Sequence, residues 1–474
     1  MALGPLSKYP MLWLVTGICA ALLVPALFMD GMFNDGVLYA SVSHNYAQGY
    51  GTFWEMYFSD TLYPHFHEQP PLLFALQAGF FKFFGDGFYT ERIYCLVTAI
   101  ACNLLILRAW KIITGDRDTA WLPLLFWFIM PVTFWAFTNN VEECTMTVFA
   151  LLALNAALRA ITSSTHALRW WFIAGVWILA AGLTKGIQGT FLLSAPFWCW
   201  IILHNGHAKQ FIARSAVIAL VPVAFVIVAW FTPSIHDSFG QYFSSRFVKT
   251  FDNTVADTRT SHFHLLYELL LDTLVVIFLV FVFLIAGRKT PGMKEETRKN
   301  IRMICFLLAC GFSGILPLLI TREQRGFYLL TALPMLVLAA ALFVRPMISR
   351  FTTWMNNRKS LANSVSIGSA IVLLVVVFFT VQNFGIPKRD ADALQTIHEM
   401  AAHTGDRTTI KTSVSINDNW GFVSYAQRYH GLSLTDLDNP ETEWLLLEKD
   451  TPAPEGYAPV SIHSQGYKLY RKKQ

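Results

Sequence analysis

The hydrophobic positions of this chain fall in long unbroken runs rather than in the stripes of a soluble amphipathic bundle. Apolar windows lie near 11–29, 90–110, 119–138, 144–161, 169–185, 188–203, 211–232, 265–287, 302–321, 326–347 and 364–385. A helix rising roughly 1.5 Å per residue crosses a hydrocarbon core of about 30 Å in some 20 residues, so these windows predict about eleven spans, with eleven to thirteen as the range. The window at 70–85 is shorter and reaches roughly 24 Å, which suits a re-entrant or interfacial helix. The first window, 11–29, has no small-x-small cleavage site after it and reads as a span rather than a signal peptide. Beyond 385 the pattern changes. An amphipathic helix is expected near 389–403, followed by short β-like runs in TTIKTSVSI, EWLLLE and GYKLYRKK. The expected fold is therefore an α-helical polytopic membrane domain over 1–385, with outer loops at 30–70 and 233–264, and a small α/β domain over 386–474.

Charge adds direction. Basic residues gather at 288–302, at 345–360, around Arg108, Lys111 and Arg117, and in the turns with Arg159/Arg169 and Lys209/Arg214. By the positive-inside rule these turns are cytoplasmic. The parity works only if the N-terminus is inside and 70–85 does not cross. The same count puts 30–70, 139–143, 186–187, 233–264, 321–326 and 386–474 outside. The expected location is the inner (plasma) membrane, with the C-terminal domain extracytoplasmic.

Composition agrees, at 54% hydrophobic and 14% charged residues, far from the roughly one-quarter charged content of soluble domains. The net charge of +5 is accounted for by the cytoplasmic turns and implies no nucleic-acid partner. All seven cysteines lie in or beside apolar segments and read as packing residues, with no metal-type spacing.

Ionisable groups at a membrane edge are costly unless paired or hydrated, and the expected outer face collects many of them. The first loop carries Asp35, Tyr39, Glu55, His65, His67 and Glu68, and no Lys or Arg occurs from 30 to 70. Glu142 and Glu143 head a span, Lys185 ends one, His262 and His264 close the 233–264 loop, and Arg322, Arg325 and Tyr328 follow. Carboxylates come early in the chain and cations later. A hydroxyl nucleophile and a phosphate leaving group would call for that combination. Each residue also has a plainer role. Asp35 before Gly36 fits a helix N-cap, Glu142 and Glu143 suit a helix N-terminus, and Lys185 could snorkel. Glu68 and a histidine are half a metal site at most.

Several motifs together resemble the GT-C membrane glycosyltransferases, in particular the lipid A aminoarabinose transferases and the protein O-mannosyltransferases. They are D-x-x-x-Y-A from Asp35 to Ala40, E-x-P-P-L-L from Glu68 to Leu73, Glu143 before an apolar span, L-T-K-G at 183–186, and R-x-x-Y-L-L-x-x-L-P from Arg325 to Pro334. The resemblance covers roughly 10–350. It implies an extracytoplasmic enzyme of the cell envelope that moves a hexose or pentose from a polyprenyl-phosphate donor to a lipid A-like glycolipid, glycan or protein. The sugar would move in one inverting displacement. It further implies Asp35 and Glu143 as catalytic carboxylates, with Tyr39 and Glu142 positioning acceptor or donor. Lys185, Arg325 and Tyr328 would face the donor phosphate, and Glu68 and His262 could hold a divalent metal ion. The chain departs from the family at Gly36, where an acid is common, at Gln69, where a lysine is usual, and at Glu143, where Asp is usual. A multi-span transporter or flippase of an amphipathic lipid is the alternative reading.

Overall fold

A computed structural model describes residues 9–163, 165–248, 263–288, 293–438 and 442–473. The chain is a polytopic helical membrane protein with a small C-terminal sheet, and it divides into two compact units. One comprises Met1–Pro25, Leu96–Phe137 and Glu143–Gln382, and the other Ala26–Cys95, Thr138–Glu142 and Asn383–Gln474.

Nine helical segments among the described residues are long and apolar enough to cross a membrane, and a tenth is the pair Trp121–Phe128 and Pro131–Thr138, bent by 73°. One of the nine, Ala167–Ile201, cannot be a single pass. The helix Ala167–Lys185 ends at Gly186, whose φ is +67°. Lys185 pairs with Glu143 at one end of the helix Glu142–Thr162, whereas Asn205 reaches the carbonyl of Ile161 at the other, at 3.4 Å. The 3-10 turn Gly186–Ser194 and the helix Ala195–Ile201 therefore run back across. The passes among the described residues thus number eleven, matching the windows in the sequence.

The bend in the third pass has an evident cause. Pro131 lacks the amide that would continue the helix and disfavours helical backbone before it. The freed Val132 amide donates to Asp272 on the helix His264–Gly287, at 3.3 Å. That carboxylate is 9% exposed, and its role is to cap a broken helix.

The basic turns meet on one side of this unit. Arg345, inside the helix Leu333–Asn357, bonds Glu296 at 2.9 Å and Asp116 at 3.4 Å, which joins this helix to the segments following the second and eighth passes. That is the shared sidedness the charge pattern requires. The seven cysteines are thiols, and Cys305 alone among them is exposed.

The second unit is built around the first loop and the C-terminal segment. The helix Asn34–Ala47 packs on the short helix Leu72–Phe84, which at 13 residues is too short to span. A five-stranded sheet has the order β2–β1–β3–β5–β4, with β1 Thr409–Thr412, β2 Ser433–Asp436, β3 Trp444–Glu448, β4 Tyr457–Val460 and β5 Tyr467–Lys472. β1 lies parallel to β2 and β3, and β5 runs antiparallel to β3 and β4. The helices Ala391–Thr404 and Trp420–His430 join the sheet in one apolar core with Val37, Val42, Phe58 and Phe74 of the first loop. The C-terminal segment thus shares its core with that loop.

Buried charge ties this unit together. Arg92 donates to Asp30 at 3.3 Å and to Glu91 at 3.2 Å, and Arg428 donates to Glu91 at 2.8 Å and to the carbonyls of Asp86 and Gly87. The Tyr429 hydroxyl donates to Asp30 at 2.6 Å. Two cations and two anions balance, and Arg92 and Arg428 are each 1% exposed. Burial and the charge of Arg428 hold the neighbouring His44 imidazole down to about 4, so it is neutral at pH 7.

Removing one member of such a set leaves its partner charged and dry, at a cost of about 3–5 kcal/mol. Arg428→Met is expected to lower the melting temperature of the purified protein by several degrees. Arg471→Met, whose pair with Glu443 is half-exposed, is expected to change it by less than a degree. Equal effects would show that the buried set does not hold the unit together.

Candidate functional site

The ionisable residues singled out in the sequence fall into two groups, one in each unit. In the membrane-spanning unit, Glu143 stands in the first turn of Glu142–Thr162 with 1% of its side chain exposed, and it takes the Lys185 ammonium. Lys185 ends its helix, with 12% exposure. Its ammonium also lies 4.4 Å from the Tyr328 ring centre and 5.8 Å from that of Phe327, within cation–π range. Phe327 stacks on Trp135 at 5.5 Å.

The backbone around the lysine is pinned. The Tyr242 hydroxyl donates to the Lys185 carbonyl at 3.4 Å, and Gln188 donates to the Tyr328 carbonyl at 3.0 Å. At Gly186 a Cβ would collide with the Tyr242 hydroxyl. Gln324, 1% exposed, folds the turn before Arg325 by donating to the carbonyls of Leu318, Leu319 and Thr321 while accepting from the Leu265 amide. Arg325 itself is half-exposed, 3.8 Å from Glu323. The structure thus brings Glu143, Lys185 and Tyr328 together and leaves Arg325 on an exposed turn. Gln188, Tyr242, Phe327 and Trp135 carry no sequence signal of their own, although Gln188 lies two residues beyond the L-T-K-G motif.

In the second unit, Tyr39 is 6% exposed and donates to Glu142 at 3.4 Å. The turn before Glu142 wraps the start of the helix Asn34–Ala47. The Asn140 amide donates to the Gly36 carbonyl at 2.9 Å and accepts from Gln77, while the Phe33 amide donates to the Asn139 side chain. Asp35 is half-buried in the first turn of this helix. It is not the N-cap, as its place before Gly36 had suggested. That position belongs to Phe33, and no side chain caps the helix. Gly36 is required by packing, because a Cβ there would run into the Asn139 carbonyl.

The metal expectation of Glu68 and His262 falls partly outside the described residues. Among the described residues no three His, Cys, Asp or Glu side chains gather as ligands. Glu68 is half-buried, the nearby His65 pairs with Glu55 at 3.0 Å, and His262 lies outside the described residues.

Comparison with known proteins places this architecture. The dolichyl-phosphate-mannose-protein mannosyltransferase family matches residues 68–234, and no curated protein matches the chain. The crystal structure of ArnT from Cupriavidus metallidurans bound to undecaprenyl phosphate superposes with a TM-score of 0.66 at 13% identity, over 96% of this chain and 97% of that one. The fold is ArnT-like. The same fold relates the chain to the apo oligosaccharyltransferase of Archaeoglobus fulgidus, with a TM-score of 0.56 at 13% identity over 91% of this chain and 65% of the other. It also relates it to the Archaeoglobus fulgidus oligosaccharyltransferase AglB in complex with an inhibitory peptide and a dolichol-phosphate, at 0.54 and 13% over 93% and 69%.

The close approach at Gly36 is testable. Gly36→Ala is expected to lower stability by about 1–3 kcal/mol through overpacking. Gly79→Ala, with nothing within 4 Å of the added methyl, is expected to raise it by about 0.4–1 kcal/mol. Thermal unfolding in detergent reads both, and a neutral Gly36→Ala would contradict the packing around Asn139.

Proposed function

We propose that this protein transfers a sugar from a polyprenyl-phosphate donor to a hydroxyl-bearing acceptor on the extracytoplasmic face of the inner membrane. The observation that carries this reading is the Lys185 ammonium, held at a helix end beside Glu143 and over Tyr328, in a chain whose fold is GT-C. A cation so placed suits an anionic lipid headgroup. The membrane-spanning unit also has an apolar groove of about 520 Å³ lined by Leu269, Val276, Ile304, Phe312, Leu336 and Phe343, of a kind to accept part of an isoprenoid chain.

The chemistry asks little of the protein beyond position and charge. In one in-line displacement the acceptor oxygen attacks C1 of the sugar. The C1–O bond to phosphate breaks with its electron pair going to the phosphate oxygen, and the configuration at C1 inverts. The acceptor proton passes to a carboxylate, for which Asp35 is the first candidate and Glu143 the second. Lys185 and Arg325 neutralise the charge that grows on the departing phosphate, and Tyr328 adds a hydroxyl there. Tyr39 and Glu142 orient the acceptor or donor sugar. This scheme needs no covalent glycosyl-enzyme. The acceptor class spans lipid A-like glycolipids, glycans and proteins.

Membranes containing the wild type are expected to transfer label from a polyprenyl-phosphate sugar, whereas Asp35→Asn loses about 10²-fold or more in rate and Lys185→Ala a comparable factor. Full transfer by Asp35→Asn would remove it from the mechanism.

A further inference from the structure

We propose that Lys185 is shared between two anions in turn, so that donor binding uncouples it from Glu143 and opens that carboxylate for use. This inference deepens the reading above and rests on it.

In the structure the ammonium that should meet the donor phosphate is already engaged by Glu143. Both groups are largely withdrawn from water, with 12% and 1% of their side chains exposed. Neither can give up its partner without a replacement. A phosphate arriving at Lys185 is such a replacement. The donor is a phosphodiester with one negative charge, so at first it matches the carboxylate. As the C1–O bond breaks, the departing phosphate gains a second charge and outweighs it. The attraction is therefore strongest in the transition state, where it accelerates the reaction.

The geometry lets the side chain swing while its backbone stays. Tyr242 holds the Lys185 carbonyl, and Gly186 at φ +67° fixes the turn. The Tyr328 ring, its own carbonyl held by Gln188, lies 4.4 Å from the ammonium. That π face remains beside the charge throughout the exchange, so the ammonium pivots over a ring instead of crossing an apolar gap. Glu143, once released, takes up a proton when donor alone is bound, or instead accepts the hydroxyl of a substrate when the acceptor is also present. The consequence is order: the carboxylate is masked while the donor is absent and available once the donor is bound.

The test is chemical labelling of Glu143 in the full-length protein in detergent. A hydrophobic carbodiimide activates protonated carboxyls and spares a carboxylate held by an ammonium. Fragmentation mass spectrometry separates modification at Glu143 from that at Glu142. Undecaprenyl phosphate is the probe, and its binding is read independently as a rise in melting temperature. Labelling of Glu143 is expected to increase about five-fold or more with the lipid. Lys185→Met should be labelled at the higher level with or without it, and Lys185→Arg should restore low, lipid-responsive labelling. A lipid that raises the melting temperature while Glu143 labelling stays constant overturns the exchange and leaves the transferase reading standing. A lipid that produces neither effect removes the lipid-phosphate reading and the exchange with it.

Discussion

A carboxylate with almost no access to water needs a cation or hydrogen-bond donors in its place, and this requirement organises both units of the chain. In the membrane-spanning unit it sets Lys185 against Glu143 and so fixes where two passes end. In the other it gathers Asp30, Glu91, Arg92 and Arg428 into a balanced set whose members are far apart in sequence. Desolvation makes each group expensive alone, so the charges bring distant segments together as firmly as apolar packing does. On the proposed mechanism function uses the same property, since a paired cation at a membrane edge is poised to exchange its partner for a better one.

Much of the fold is legible because the hydrophobic period and the charge of the turns are strong signals. Eleven windows correspond to eleven passes among the described residues, with the bent pair counted as one, and the turn at Lys185–Gly186 is visible in the sequence as a charged residue followed by glycine. The short window at 70–85 corresponds to the 13-residue helix Leu72–Phe84. The bend before Pro131 was not read, because a 20-residue apolar window looks continuous when composition alone is weighed. Its stabilising partner, Asp272, comes from a helix well over a hundred residues on. In the C-terminal segment the helix near 389–403 and three strands were legible. β2 and β4, at four residues each, carry too little alternation to register.

The candidate site was legible as residue types and less so as partnerships. Glu143, Lys185 and Tyr328 stood out singly, and the structure joins them. Asp35 looked like a cap because local sequence favours one, but Asn139 receives the Phe33 amide from a different loop and Phe33 takes the cap position. Tertiary contacts decide such cases, and a local motif does not contain them. The same holds for Tyr242 and Gln188, whose contribution is to hold carbonyls in place.

The central claim, group transfer from a lipid-linked donor, is tested most directly by a donor carrying one label on the sugar and another on the phosphate, in vesicles containing only this protein and acceptor. Transfer predicts that the two labels separate, the sugar appearing on acceptor and the phosphate remaining with the polyprenol. Labels that stay together while the intact lipid changes leaflet would contradict the account and describe a flippase.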